Sequence, residues 1–254
     1  MTVTITQIYR YPVKGLSPEA LETVDLAPGR GLPDDRRFAL TLGTTRVDGP
    51  TIAWMDKTNF LSLLRHEKLA KLKTKFDGDT GVLEILRGGK AIAKGNITTP
   101  VGRAMVEEFF AAFMGEAALG RPKLVEAENS GTLSDHSNPV VSLINLASVK
   151  DLERVTGATV NPLRFRGNVY LEGLEPWAEF GWVDKEITLG GATLKITKRI
   201  DRCTATNVDP QTAVRDLSIP KDLYRGFGHI DMGVYASTTT AGTIKSGDIC
   251  TPSE

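Results

Sequence analysis

Cysteine is scarce in this chain: Cys203 and Cys250 are the only two among 254 residues. Two cannot build a disulfide scaffold, a four-cysteine zinc site or a self-contained four-cysteine iron–sulfur cluster. Histidine is no richer, since His66, His136 and His229 stand apart without the spacing of a metal pair. Neither sign of charge is in surplus: 31 Lys and Arg balance 31 Asp and Glu. That excludes a broad surface for nucleic acid or anionic membrane, which needs excess cations, and leaves room for one small basic pocket. Long apolar runs are missing too. The longest, Phe109–Met114, is far too short to cross a bilayer, and the N-terminal residues lack the pattern of a secretory signal. There is no Gly-rich phosphate loop and no Gly-x-Ser-x-Gly nucleophile elbow. With 41% hydrophobic and 24% charged residues, the composition is that of a water-soluble globular protein, expected in the cytoplasm. A disulfide between the two cysteines is not expected there.

What is present reads mainly as strands. Short runs at Val3–Tyr11, Glu19–Ala27, Arg36–Leu42, Leu69–Phe76, Val82–Leu86 and Ala91–Lys94 are separated by Gly-containing turns, the spacing of a barrel or sandwich. A helix follows, with Thr99 as N-cap, Pro100 at its first position and Gly115 at its end. Its periodicity places Val101, Met105, Phe109 and Phe113 on one face. Leu119–Asn138 is polar and turn-rich apart from a strand at Lys123–Ala127, which suggests a boundary between two units nearby. A second helix runs from Asn145 to about Val155 and stops at Gly157. Strands return at Asn168–Leu171, in a hairpin Glu186–Thr197 turning at Gly190-Gly191, at Gly233–Ser237 and at Thr243–Cys250.

Several cations stand at strand ends: Lys14 after Tyr-Pro-Val, Arg36 and Arg37 after Asp34-Asp35, and Arg166 in Arg164-Phe165-Arg166-Gly167-Asn168. Each alone reads as a solvated charge beside a turn. Together they could converge on an anion such as a phosphate. Asn145 and Ser148 open the second helix, either as ordinary capping residues or as a phosphate-binding helix start, and spacing does not choose between these. Cys203 lies beside Arg202, with Lys198 and Arg199 close by, in polar surroundings. Nearby cations favour a thiolate, the form that attacks electrophiles or binds metals. Cys250, at an apolar strand end, reads as structural.

As an ordered set these motifs resemble the MOSC family, the molybdenum cofactor sulfurase C-terminal module, together with its N-terminal β-barrel domain. Tyr11-Pro12-Val13-Lys14-Gly15-Leu16 and Asp35-Arg36-Arg37-Phe38 resemble the N-terminal domain. Leu133-Ser134-Asp135, Leu146-Ala147-Ser148, Arg164–Asn168, Trp177-Ala178-Glu179 and Arg202-Cys203 through Val208-Asp209-Pro210 resemble the module itself, closing with Phe227-Gly228 and Gly242–Asp248. The resemblance implies a β-rich α+β fold. An N-terminal barrel-like domain over residues 1–118 would pack beside a MOSC β-barrel module over 119–254, with a few helices.

It also implies a molybdenum–pterin cofactor (Mo-molybdopterin), with pyridoxal phosphate not expected. Cys203 would ligate the metal. Lys14, Gly15, Arg36, Arg166 and Asn168 would contact the pterin and its phosphate, Asn145 and Ser148 would hold the phosphate from the helix start, and Asp201 and Arg202 would line the pocket. The layout is similar to that of the amidoxime-reducing branch, which implies reduction of small N-hydroxylated compounds. The alternative is a non-catalytic carrier of the cofactor or its sulfur. No ferredoxin module precedes Glu254, so electrons are expected from a separate ferredoxin-, flavodoxin- or cytochrome-type protein, with neither nucleic acid nor membrane as partner. Three positions depart from the family pattern: Gly15 stands for a commoner serine, Gly167 for the usual proline, and Asp201 for a small polar residue.

Overall fold

The computed structural model describes residues 2–252. Its first strand, β1 (Val3–Arg10), buries both Ile5 and Ile8, although strict alternation would put residues three apart on opposite faces. A bulge between Ile5 and Gln7 resets the alternation. The single strand expected over Glu19–Ala27 is two, β2 (Glu19–Leu21) and β3 (Thr23–Leu26), which enter different sheets. Short strands β4 (Phe38–Leu40) and β5 (Thr51–Ile52) precede a three-stranded meander of β6 (Lys73–Asp77), β7 (Val82–Arg87) and β8 (Lys90–Asn96). The expected strand at Leu69–Phe76 begins late because Glu67–Lys71 forms a tight helical turn.

Helix α1 (Pro100–Met114) has the expected punctuation: the Gly102 N–H donates to Thr99 Oγ1 at 3.2 Å, and Gly115 ends the helix. Its buried face is not the expected one. Gly102, Val106, Phe110 and Met114 face inward, whereas Val101 and Met105 are exposed. Gly102 decides this. A Cβ there would lie 1.9 Å from the Asn96 carbonyl oxygen, so only glycine lets the helix start pack onto the end of β8. Phe109 and Phe113 lie at the margin of that core.

Strand β9 (Leu124–Ala127) pairs antiparallel with β4 and parallel with β5. The second half opens with β10 (Val141–Asn145), which runs straight into α2 (Leu146–Thr156). Then come β11 (Val169–Glu172), the hairpin β12 (Glu186–Leu189) and β13 (Ala192–Asp201), and helix α3 (Ile219–Phe227). The chain closes with β14 (Asp231–Thr240), β15 (Gly242–Lys245) and β16 (Ile249–Pro252). The expected strand over Thr243–Cys250 is therefore two strands in different sheets.

Seven strands close into a barrel in the order β11-β10-β14-β13-β12-β16-β1, with β1 pairing back to β11, and β2 adds to the edge of β1. Inside lie Ile5, Ile8, Val141, Leu143, Leu171, Leu194, Ile196, Val234 and Ala236. The other half, built from β4 to β9 and α1, has its own apolar core around Phe38, Leu69, Ile85 and Phe110. A third cluster seats α2 and α3 on the barrel through Leu152, Phe165, Tyr170 and Leu223. Because side chains alternate, the barrel also presents an outer row. Tyr235 is paired with Ser142 on one side and Lys198 on the other, between residues that point into the core. That row floors the cleft between the two halves.

Candidate functional site

The cleft gathers residues remote in sequence. Lys14 and Gly15 follow β1, Arg36 precedes β4, Arg166 and Asn168 precede β11, and Asp201, Arg202 and Cys203 end β13. All eight line one cavity, whose floor includes Ser142, Lys198 and Tyr235 and whose rim includes Lys57 and Asp135. Cys203 is a partly exposed free thiol there. Cys250 is buried in the barrel core, where burial pushes its thiol up to about 12.

The cations differ in how they are held. Lys14 is only 6% exposed and donates to the Leu133 carbonyl at 2.8 Å and to Asp135 Oδ1 at 2.5 Å. Burial lowers its ammonium below the ordinary value while Asp135 opposes that shift. Arg36 pairs with Asp35 and donates through Nη2 to the Arg166 carbonyl at 2.7 Å. Among the described residues the Arg166 guanidinium makes one hydrogen bond, Nη1 to the Leu16 carbonyl at 2.7 Å, and burial lowers it to about 10. Arg202 donates to the carbonyls of Phe165 and Met232. Among the described residues neither Arg166 nor Arg202 forms an ion pair. Asp35 and Asp135 act on Arg166, and Asp201 on Arg202, only from beyond ion-pair distance, so the cleft keeps positive charge that would suit an anion.

Backbone geometry supports the same assignment. Arg36 and Arg166 both sit in the left-handed region, at φ 50 and 51, a conformation that non-glycine residues adopt at a cost of about 1–3 kcal/mol and that collects at binding sites. Gly15 has φ +81, and a Cβ there would lie 2.8 Å from the Leu61 carbonyl oxygen, so the commoner serine would strain this wall. Gly167 uses what a proline lacks. Its N–H donates to the Tyr170 hydroxyl at 3.1 Å, and a Cβ would meet Ile144 Cγ1 at 2.3 Å.

Two expected contributors are elsewhere. Asn145 and Ser148 are fully buried and lie outside the cleft. Asn145 Oδ1 accepts from the Ala147 N–H at 3.0 Å, so it caps α2, while its Nδ2 donates to Glu179 at 2.8 Å. Ser148 Oγ donates to the same carboxylate at 2.9 Å. At the start of α2 Asn145 thus acts as the cap and Ser148 braces Glu179. Both side chains are engaged within the protein and not in the cleft where the phosphate contact was expected. Burial raises Glu179 above the usual carboxylate range. Asn168 reaches the cleft wall, yet its amide is spent on bracing: Nδ2 donates to the Tyr9 carbonyl at 3.1 Å and Oδ1 accepts from Ser142 Oγ at 2.8 Å. Asp201 is exposed and lies 3.8 Å from Lys198, not against Arg202.

Lys57, Asp135, Lys198 and Tyr235 complete the cleft without having been singled out as site residues. Asp135 lies between Lys14 and Lys57, 3.6 Å from the latter. Burial pushes the Asp135 carboxyl up, but the charge of Lys14, its hydrogen bond, and the Lys57 and Arg36 charges outweigh this and hold it at about 2. A carboxyl lowered on folding stabilises the fold above its ordinary value of 3.8, and that contribution disappears as pH falls through about 2. The stability gap between the wild type and Asp135→Asn, measured by denaturant unfolding, is therefore expected to shrink from pH 5 to pH 2. A gap constant over that range contradicts the pairing.

Residues 131–251 match the family model described as the MOSC domain. The mitochondrial amidoxime-reducing component 1 of Homo sapiens is 29% identical over 118 residues, which cover 42% of this chain and 34% of that protein. The mitochondrial amidoxime reducing component 2 of Rattus norvegicus is 28% identical over 120 residues, covering 42% and 35%. The chain spans about a third of the length of these curated relatives. Among solved structures, the YuaD protein of Bacillus subtilis aligns over 100% of this chain and 97% of its own, with a TM-score of 0.46 and 12% identity. YiiM of Geobacillus stearothermophilus aligns over 45% and 54%, with a TM-score of 0.35 and 18% identity. No helix among the described residues is long and apolar enough to cross a membrane.

Proposed function

We propose, from the match of residues 131–251 to the MOSC domain, that the chain holds a molybdenum–pterin cofactor in the cleft and reduces small N-hydroxylated compounds. The observation that carries this reading is the company of Cys203: a free thiol in one cavity with Arg166 and Arg202, two guanidinium groups that form no ion pair among the described residues. The donor set fits such a group. No cluster of three or more metal-binding side chains exists among the described residues, so a metal here must bring most of its ligands with it. Cys203 would supply one thiolate, and Arg166, Arg202, Arg36 and Lys14, which line the same cavity, would hold the anionic part of the cofactor.

When bound, the group supplies two-electron removal of the N–O oxygen, so that a hydroxylamine, two electrons and two protons give an amine and water. The chain's residues do the rest. Lys14 and Arg36 keep their charges in place through Asp135 and Asp35, and the paired Lys198 and Asp201 add a partly exposed charge pair to the cavity lining. Two electrons come from a separate donor protein. The work is placed in the cytoplasm, and residues 1–118 and 119–254 are taken as two units, although β1 of the first pairs with β11 and β16 of the second.

The test is expression with molybdate in a host that makes the cofactor. Molybdenum and pterin are measured per chain, together with a molybdenum–thiolate absorption and dye-driven reduction of benzamidoxime or hydroxylamine. Cys203→Ala is expected to abolish the absorption and Cys250→Ala to leave it intact. Equal retention in both variants sinks the ligand assignment. Metal-replete protein inert toward every reductant points to the carrier role instead.

A further inference from the structure

Tyr11 is fully buried, at 0% exposed, and does not line the cleft. Its ring nevertheless touches two groups that do. The Arg36 guanidinium carbon stands 4.3 Å from the ring centroid, and that of Arg166 stands 4.2 Å from the same centroid. The backbone ties the arrangement together. The Tyr11 N–H donates to Asp35 Oδ1 at 2.8 Å, and the Tyr11 carbonyl accepts from the Arg36 N–H at 2.7 Å. The hydroxyl lies beside that of Tyr170 and makes no well-formed hydrogen bond among the described residues, and the ring is the part in contact with the two guanidinium groups.

Two guanidinium groups crowded into one cleft repel each other, and of the two only Arg36 forms an ion pair among the described residues. An aromatic face carries negative charge density that attracts a cation, and the attraction grows when water is excluded. A fully buried ring in contact with both meets that condition. We propose that Tyr11 is the positioning residue of the anion-binding half of the cleft. Its ring, in contact with both the Arg36 and Arg166 guanidinium groups, holds them in the cleft wall against their mutual repulsion, ready for a multiply charged ligand such as a phosphate monoester. The assignment rests on the proposed cofactor and deepens it: Tyr11 acts through the two arginines and touches no ligand.

The test separates the shape of the ring from its charge distribution. Tyr11→Phe keeps the face and removes the hydroxyl, and pentafluorophenylalanine placed at position 11 keeps the shape but reverses the charge of the face. Retained pterin per chain, read as its fluorescent oxidation product, does not depend on turnover. Wild type and Tyr11→Phe are expected to retain equal pterin, with at least a fivefold loss in the pentafluoro protein and in Tyr11→Leu. Phe110→Leu, in the distant core, controls for stability and is expected to keep its pterin while melting lower. A pentafluoro protein as well loaded as Tyr11→Phe overturns the role of Tyr11 and leaves the cofactor reading standing. A loss in Tyr11→Phe as large as in Tyr11→Leu also overturns it, because the hydroxyl would then be the active part. Wild type carrying no pterin overturns the cofactor reading, and this assignment with it.

Discussion

Arg164→Ala is expected to lower the unfolding free energy by about 3 kcal/mol, toward the low end for breaking a buried ion pair. Its side chain is 1% exposed. Nη2 donates to Asp209 Oδ2 at 3.0 Å and to both oxygens of Asp216, while Nη1 donates to the Asn207 carbonyl at 2.9 Å. One guanidinium thus ties the turn after Cys203 to the segment leading into α3. Alanine removes the fork and leaves a cavity, although Asp216 is exposed enough to be rehydrated, which moderates the loss. Arg164→Lys keeps a charge but not the fork and is expected to fall between the two. Denaturant unfolding of the cofactor-free protein measures this, and a loss below about 1 kcal/mol would contradict the role.

Two residues along the chain, Arg166→Ala is expected to do the reverse. The stability of the cofactor-free protein should hold or rise, because an enclosed guanidinium without an ion pair among the described residues is a cost to the empty fold, as its lowering to about 10 indicates. Cofactor retention should fall by roughly ten- to a hundredfold, the equivalent of about 1.5–3 kcal/mol for a hydrogen bond to a charged group. The pair of variants is the measurement: unfolding free energy and pterin content for each, side by side. A destabilised Arg166→Ala that keeps its pterin would exchange the two roles.

Much of this contrast was legible in the sequence, and the reasons for what was not are physical. Local punctuation read well, since Thr99, Pro100 and Gly115 set the ends of α1 through short-range geometry. The buried face of that helix did not, because the close approach of Gly102 to β8 is tertiary and a period of 3.6 only says which residues share a face. Helix α3 was missed although Ile219, Leu223 and Phe227 recur at helical spacing; Pro220 and the polar residues between them masked it. In the site, Lys14, Arg36, Arg166, Arg202 and Cys203 were found through motifs and do converge. Asn145 and Ser148 were misassigned because their spacing at a helix start does not show what their side chains engage, and Glu179 arrives from 31 residues beyond Ser148. Tyr235 and Lys198 reach the cleft through strand register alone, which no local pattern encodes.

The closure of the barrel orders events in the life of the chain. Val3 in β1 lies opposite Cys250 in β16, so the start of β1 waits for a strand about 245 residues later before it is covered. Contacts so distant in sequence form slowly, since the entropy of closing the loop must be met before they contribute anything. The floor of the cleft is itself barrel surface, and β14, which bears Tyr235, is synthesised near the end. A nascent chain that has not yet emerged through β16 therefore has no complete cleft.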